Sequence, residues 1–301
     1  MNLTADSLQG HAGWRWSLPN GDSVFVAQQG AQVLSWQAAG AERLYLSATS
    51  ASDGHTAIRG GVPVCFPQFN QRGSLPKHGF VRNMPWRLLE GDGQANAQAN
   101  AQVNTQVNTQ VLELQANDAT RAIWPVKFRA LLSVELQVHQ LKISLRVENQ
   151  GEQALTFTGA LHTYLAVSAI DQVSLQGQAQ QPEWDAVKDT HQACSGLLRF
   201  NSEFDRVYDV AAPALAQVQG SSEHPQSTWQ LQDGSQTLQI SQSKAWGQSV
   251  VWNPGAEKTA QLKDMPADGF QKMLCVEAAR VNTPIEVPAF QSWEAWQQFN
   301  L

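Results

Sequence analysis

The sequence predicts an all-β protein, a sandwich or a barrel built from many short strands. Three observations predict it. Apolar residues recur at every second position along much of the chain, the period of a strand with one buried face. Gly, Asn, Asp and Pro punctuate these runs at short intervals, as at Pro19-Asn20-Gly21-Asp22 and Asp233-Gly234, and such clusters favour tight turns. Helical periodicity is weak, with a short turn around residues 266–272 as its best instance.

Taken in order, the alternating runs open with SVFVAQ (23–28), QVLSWQ (32–37) and ERLYLS (42–47). TQVLELQ (109–115), KFRALLSVELQ (127–137), QLKISLRVEN (140–149) and ALTFTGALHTYLAV (154–167) follow. TWQLQ (228–232) and TLQISQ (237–242) flank the Asp233-Gly234 turn signal. QSVVWN (248–253), KMLCVEAARV (272–281) and SWEAWQQF (292–299) complete the series. No linker-like stretch divides the chain, so residues 1–301 read as a single domain. Its one low-complexity segment, QANAQANAQVNTQVNTQ at 94–110, holds no charge and no catalytic side chain. It reads as a surface insertion, either a polar hairpin or a disordered loop.

Composition narrows the function. Of 301 residues, 42% are hydrophobic and 15% charged, enough apolar content for a large core and too much for a disordered chain. Twenty Lys and Arg against 26 Asp and Glu leave a net charge of −6, which argues against general nucleic-acid binding through phosphate neutralisation. No apolar run reaches the roughly 20 residues of a membrane helix, and the start MNLTADSLQG lacks an export signal. Cys65, Cys194 and Cys275 are odd in number and widely spaced, so neither a disulfide framework nor a cysteine zinc site is expected. These features describe a reduced, soluble, cytoplasmic protein.

The densest passage is IRGGVPVCFPQFNQRGSLPKHGFVRNMPW at 58–86. Gly60-Gly61 permits positive φ or close approach of the backbone, and Pro63 and Pro67 keep the next residues out of a central strand. Arg59, Lys77, His78 and Arg82 would then gather on one loop. That is either a surface loop with scattered charges or a pocket for an anionic oxygen cluster such as a phosphate monoester. An acidic protein needs such a local basic patch to hold an anionic ligand.

Two further residues stand out. His162 shares its strand parity with Thr156, Thr158, Ala160, Tyr164 and Ala166, which places it on the wetter side of the sheet. Glu277 shares parity with Met273, Cys275, Ala279 and Val281, so its carboxylate is expected to be desolvated. Desolvation raises a carboxylate's pKa toward useful general-base values unless an arginine pairs with it. Nucleotide, metalloprotease and serine-hydrolase motifs are absent, the seven histidines never fall at metal-ligand spacing, and no cofactor or metal is implied.

Four segments, RGGVPVCFPQF, LPKHGFVRNMPW, GALHTYLAV and VVWNPGAEKTAQLKDMPADGFQKMLCVEAARV, resemble the hexose-6-phosphate mutarotases. These glucose-6-phosphate 1-epimerases belong to the galactose-mutarotase-like (aldose 1-epimerase) superfamily. The segments occur in the family's order and span residues 59–281. The resemblance implies an antiparallel β-supersandwich curved around a sugar cleft, with His162 as catalytic acid and Glu277 as catalytic base. It further implies that Arg59 and Arg82 contact the substrate or its phosphate, that His78 is a pocket histidine, and that Asp205 binds sugar hydroxyls. Lys77 departs from the glutamine or alanine common before the HGF motif; it either strengthens phosphate binding or faces solvent. The activity implied is cofactor-independent interconversion of the α and β anomers of an aldohexose 6-phosphate by a monomer, with no nucleic-acid or membrane partner. Epimerisation of free hexoses, or carbohydrate binding without catalysis, are the alternatives.

Overall fold

A computed structural model describes residues 2–89, 108–210 and 227–301. Strands β1 (Asn2–Leu8), β2 (His11–Ser17), β3 (Ser23–Ala27), β4 (Val33–Ala38) and β5 (Ala41–Glu42) form one antiparallel sheet in chain order. The chain continues through β6 (Val64–Cys65), β7 (Arg87–Leu88), β8 (Asn108–Gln115), β9 (Phe128–Gln137), β10 (Gln140–Asn149), β11 (Leu155–Leu161) and β12 (Tyr164–Ala166). Short strands β13 (Ser174–Gln176), β14 (Pro182–Asp185), β15 (Thr190–Ala193), β16 (Leu197–Leu198) and β17 (Phe204–Asp209) come next. The last five are β18 (Ser227–Asp233), β19 (Gln236–Gln242), β20 (Gln248–Asn253), β21 (Met273–Val287) and β22 (Ser292–Asn300).

Two large sheets take up the later strands. One is nine-stranded, in the order β16-β13-β18-β19-β22-β10-β9-β8-β7. The other is eight-stranded: β15-β14-β17-β20-β21-β11-β6 form its path, and β12 pairs with β21 beside it. In β9 the burial alternates strictly, with Phe128, Ala130, Leu132, Val134 and Leu136 at 0% exposure. Period-two patterning thus converts directly into one core face, which joins Leu274, Val276 and Ala278 of β21 in the main apolar cluster.

β21 differs in being covered on both faces. Its odd-numbered residues Met273, Cys275, Glu277 and Ala279 are buried as well, although they belong to separate, smaller clusters or to none. The eight-stranded sheet therefore has a core side and an enclosed second side, and the second side is where a carboxylate has been placed.

Most alternating runs become strands, with three differences. The run at 42–47 stops pairing as a ladder after Glu42 and continues as isolated bridges, Leu44 to Leu165 and Leu46 to Gly60, because here the chain crosses from one sheet to another. The hairpin β1–β2 has no matching alternating run, since β1 is mostly exposed and is held by its register from Asn2 opposite Ser17 to Leu8 opposite His11. The short strands β13 to β17 are likewise too brief or too polar to show a period. The expected helical turn near 266–272 is found as a 3-10 turn over Gly269–Lys272. Helices α1 (Asp118–Ile123) and α2 (Gly255–Thr259) are additional; α1 starts on a capping box between Asn117 and Thr120. Of the 94–110 repeat, residues 94–107 lie outside the described residues, and Asn108–Gln110 begin β8, with Asn108 opposite Leu136. Among the described residues no helix is long and apolar enough to cross a membrane.

Gly60 and Gly61 show why that pair precedes the site. Their φ values are 125° and 58°, and a Cβ on Gly61 would sit 2.1 Å from the Val33 carbonyl oxygen. The close approach is to neighbouring backbone rather than to a ligand, and Gly61 N–H donates to the Tyr45 carbonyl at 2.7 Å. Gly234, by contrast, has φ 59° with nothing within 4 Å of the point a Cβ would occupy. Gly61→Ala should therefore lose more than about 1 kcal/mol of stability beyond Gly234→Ala. Urea denaturation of the two variants checks this; equal, small losses would show that the backbone contact does not hold the 59–61 segment.

Candidate active site

The site is assembled on the second side of the eight-stranded sheet by strand register. Tyr164 lies opposite Cys275, Cys275 opposite Trp252, and Trp252 opposite Asp205, one row across β12, β21, β20 and β17. Glu277 lies opposite Val250 in the next row. His162 occupies the two-residue interruption between β11 and β12 and faces Glu277 across it. The interruption is fastened from beneath, where the Thr163 hydroxyl donates to Gln297 Oε1 at 2.7 Å and Gln297 Nε2 donates to the Val276 carbonyl at 2.9 Å.

His162 Nε2 stands 3.4 Å from Glu277 Oε1. Both groups are buried, at 8% and 1% exposure. This corrects the wetter-side expectation for His162: Thr158, Ala160 and Tyr164, of the same parity, are buried too, because the 65–80 segment covers that side. The His162 ring stacks on Tyr164, with centroids 4.8 Å apart and planes 8° apart, and meets His78 and Trp252 edge-on. His162 Nδ1 and Glu277 Oε2 make no hydrogen bond among the described residues. Burial, with Asp205 adding to it, pushes the Glu277 carboxyl well above the usual carboxylate range. Burial also pulls the His162 imidazole well down, helped by His78, Arg59 and Arg82. These directions favour a pair that holds one proton between neutral partners rather than two separated charges. The arginine partner considered for Glu277 is not there; among the described residues its ion-pairing neighbour is His162.

The basic residues border this pair. Arg59 is held by Asp264 through Nε to Oδ2 and Nη2 to Oδ1, both 3.1 Å, and Nη1 donates to the Tyr164 hydroxyl at 3.0 Å. Burial opposes its charge, but Tyr164 and Asp264 outweigh that and hold Arg59 firmly protonated. Arg82 sits on the 3-10 turn Val81–Asn83 and donates through Nη2 to the Lys77 carbonyl at 3.0 Å. Lys77 is exposed, and its ammonium is shifted downward by partial burial and by Arg59, Arg82 and Lys258. Lys77 thus lies within the field of three other cations.

His78 is buried, with φ 62°, a left-handed conformation within the turn that precedes Gly79. Its Nδ1 accepts from the Asn70 backbone N–H at 3.2 Å and lies 3.3 Å from Cys65 Sγ. Since Nδ1 accepts, Nε2 carries the hydrogen. Burial, Arg82, Lys77 and Arg59 push its pKa down to about 3, so His78 is a neutral donor. Asp205 is partly buried on the Trp252 row, and burial raises its carboxyl to about 6 against the pull of Lys258.

All seven residues singled out from the sequence border one region. Sequence reasoning missed Asp264, which lies 205 positions from Arg59 and has no local pattern to announce it. It also gave no role to Tyr164, Trp252 or Cys275; Tyr164 shared parity with His162 and Cys275 with Glu277, while Trp252, on another strand, carried no signal. His162, Cys275 and Glu277 additionally offer a nitrogen, a sulfur and a carboxylate oxygen within 4.8 Å of one another.

Residues 14–300 match the family model described as aldose 1-epimerase. A "Putative glucose-6-phosphate 1-epimerase" of Escherichia coli is 34% identical over 260 residues, covering 84% of this chain and 78% of that one. One of the same description from Salmonella typhimurium is 32% identical over 265 residues, covering 86% and 80%. A crystal structure described as that of a "putative mutarotase" from Salmonella typhimurium superposes with a TM-score of 0.81 at 27% identity, covering 99% of this chain and 92% of that one. The chain belongs to the aldose 1-epimerase family, and the antiparallel supersandwich expected from the resemblance is its fold.

The raised carboxyl of Asp205 has a stability consequence whose sign is fixed. Its folded value of about 6 lies above the ordinary 3.8, so stability falls as pH rises between the two and stays reduced above. Asp205→Asn should therefore be more stable than wild type by about 2 kcal/mol at pH 7.5, with the gain shrinking toward zero near pH 4. Urea midpoints across that range test it, and a gain independent of pH would rule out Asp205 ionisation as the cause.

Proposed function

We propose that this aldose 1-epimerase family member interconverts the α and β anomers of an aldohexose 6-phosphate. The observation that carries the reading is the buried His162–Glu277 contact of 3.4 Å beneath a border of cations. A neutral sugar does not need Arg59, Lys77 and Arg82 at the rim; a phosphate monoester does. The descriptions of the Escherichia coli and Salmonella relatives point to the same substrate.

In this mechanism the pair's one proton moves onto His162 once substrate is seated; Glu277 then takes the proton from the anomeric hydroxyl while His162 Nε2 delivers its own to the ring oxygen. The C1–O5 bond opens to the free aldehyde, rotation about C1–C2 exposes the other carbonyl face, and closure reverses both transfers. The pair begins and ends with a single proton, so proton and redox balance are conserved without an external donor. The phosphate also has an electrostatic effect. Its negative charge offsets Arg59 and Arg82, two of the charges that hold the His162 imidazole down, and so favours the protonated acid when the substrate is seated. Binding energy at the phosphate orients the ring over the pair. His78 Nε2–H and the Asp205 carboxylate supply a donor and an acceptor for the sugar hydroxyls.

Exchange between anomers of glucose 6-phosphate, followed by NMR magnetisation transfer, tests the chemistry. Glu277→Gln should fold normally and lose roughly 100- to 10,000-fold in rate, and His162→Ala should lose a similar factor. A fully active Glu277→Gln enzyme would exclude the mechanism. Arg82→Ala should raise KM for glucose 6-phosphate by about tenfold or more while leaving slow turnover of free glucose unchanged, since a lost charge-assisted bond costs at least about 1.5 kcal/mol. Equal damage with both sugars would mean that Arg82 does not read the phosphate.

A further inference from the structure

The second side of the eight-stranded sheet holds a donor set that the proposed anomer exchange does not use in full. We propose that His162, Cys275 and Glu277 form a binding site for zinc or a similar thiophilic divalent cation, and that the metal blocks the cleft against sugar. Register creates the cluster. Cys275 and Glu277 are two apart on β21 and point to the same side, and His162 faces them from the β11–β12 interruption.

Spacing supports coordination. Tetrahedral zinc with bonds of about 2.0–2.3 Å places its ligand atoms roughly 3.3–3.8 Å apart. His162 Nε2 and Glu277 Oε1 already stand at 3.4 Å, and the whole set lies within 4.8 Å. Closing the remainder takes about 1 Å of side-chain movement, within reach of a thiol turning about Cα–Cβ. A nitrogen, a sulfur and one carboxylate are the ligand types zinc selects, whereas magnesium and calcium require oxygen. Three protein ligands leave a fourth coordination position for water. Glu277 Oε2, buried and without a hydrogen-bond partner, remains to accept from a water there.

Charge allows it too. The thiol gives up its proton to solvent as the metal–sulfur bond forms, and any proton held by the His162–Glu277 pair leaves likewise. Thiolate and carboxylate then cancel the two positive charges of the ion in a buried setting. Arg59 and Arg82 oppose a cation here, and Asp205 favours it.

The metal uses the two groups assigned to proton transfer, so the inhibition arm of the test rests on the proposed function; the binding arm does not. In chelator-free buffer, Co²⁺ added to the wild-type protein should produce the near-ultraviolet charge-transfer band of a cobalt–thiolate bond. Cys275→Ala should abolish the band, and Glu277→Gln should weaken cobalt binding about tenfold or more. Zn²⁺ should inhibit anomer exchange competitively with glucose 6-phosphate, with reversal by EDTA and no effect of equal Mg²⁺. Cys275→Ala should keep its exchange activity but need about tenfold or more Zn²⁺ for the same inhibition. Absence of the cobalt band, a band that survives Cys275→Ala and disappears in Cys65→Ala, or equal zinc sensitivity of wild type and Cys275→Ala would each overturn the assignment. An inactive wild type that still shows the cobalt band would refute the catalytic reading and leave the metal site standing.

Discussion

One carboxylate kept out of water sets the terms for the whole site. Glu277 is the fifth residue of a fifteen-residue strand, flanked by apolar neighbours of its own parity, and is 1% exposed. Burying a carboxylate this way is costly unless a partner shares its proton. The partner is His162, brought opposite by a break between β11 and β12 that the Thr163–Gln297–Val276 hydrogen bonds hold in shape. Burial raises the Glu277 carboxyl and lowers the His162 imidazole, the two shifts on which the proposed proton transfer draws.

A second layer of order surrounds the pair. Arg59 would be free to wander from the rim were it not tied to Asp264 through two nitrogens and to Tyr164 through a third. The same Tyr164 ring stacks on His162, so one side chain links Arg59 to the His162–Glu277 pair. His78 is fixed in the same manner, its Nδ1 occupied by the Asn70 N–H and the Cys65 thiol, which leaves the hydrogen on Nε2. Placement by several weak bonds from different strands limits the reorientation left to the bound state, which is how a rigid β scaffold aids positioning.

Much of the architecture was legible because strands advertise a period. The runs at 127–137 and 140–149 became β9 and β10 with their apolar residues inside. Where period was lacking, legibility failed: β1 is polar, β15 is exposed throughout, and β17, which carries Asp205, is a short strand with only Val207 and Tyr208 buried. The site was partly legible for the same reason. Glu277 was conspicuous as a charge among apolar positions of one parity, and that inference held. His162 looked solvent-facing by parity, because the sequence of β11 and β12 does not disclose that the 65–80 segment lies over that side.

The sequence by itself determined the strand-rich class, the apolar face of each long strand and the oddness of Glu277, since these depend on neighbours two positions apart. Only the tertiary structure decided that Arg59 meets Asp264, that His162 faces Glu277, and that Cys275 joins them. Those contacts are set by register between strands distant in the chain, and register is fixed by the packing of the two sheets as a whole rather than by any local run of residues.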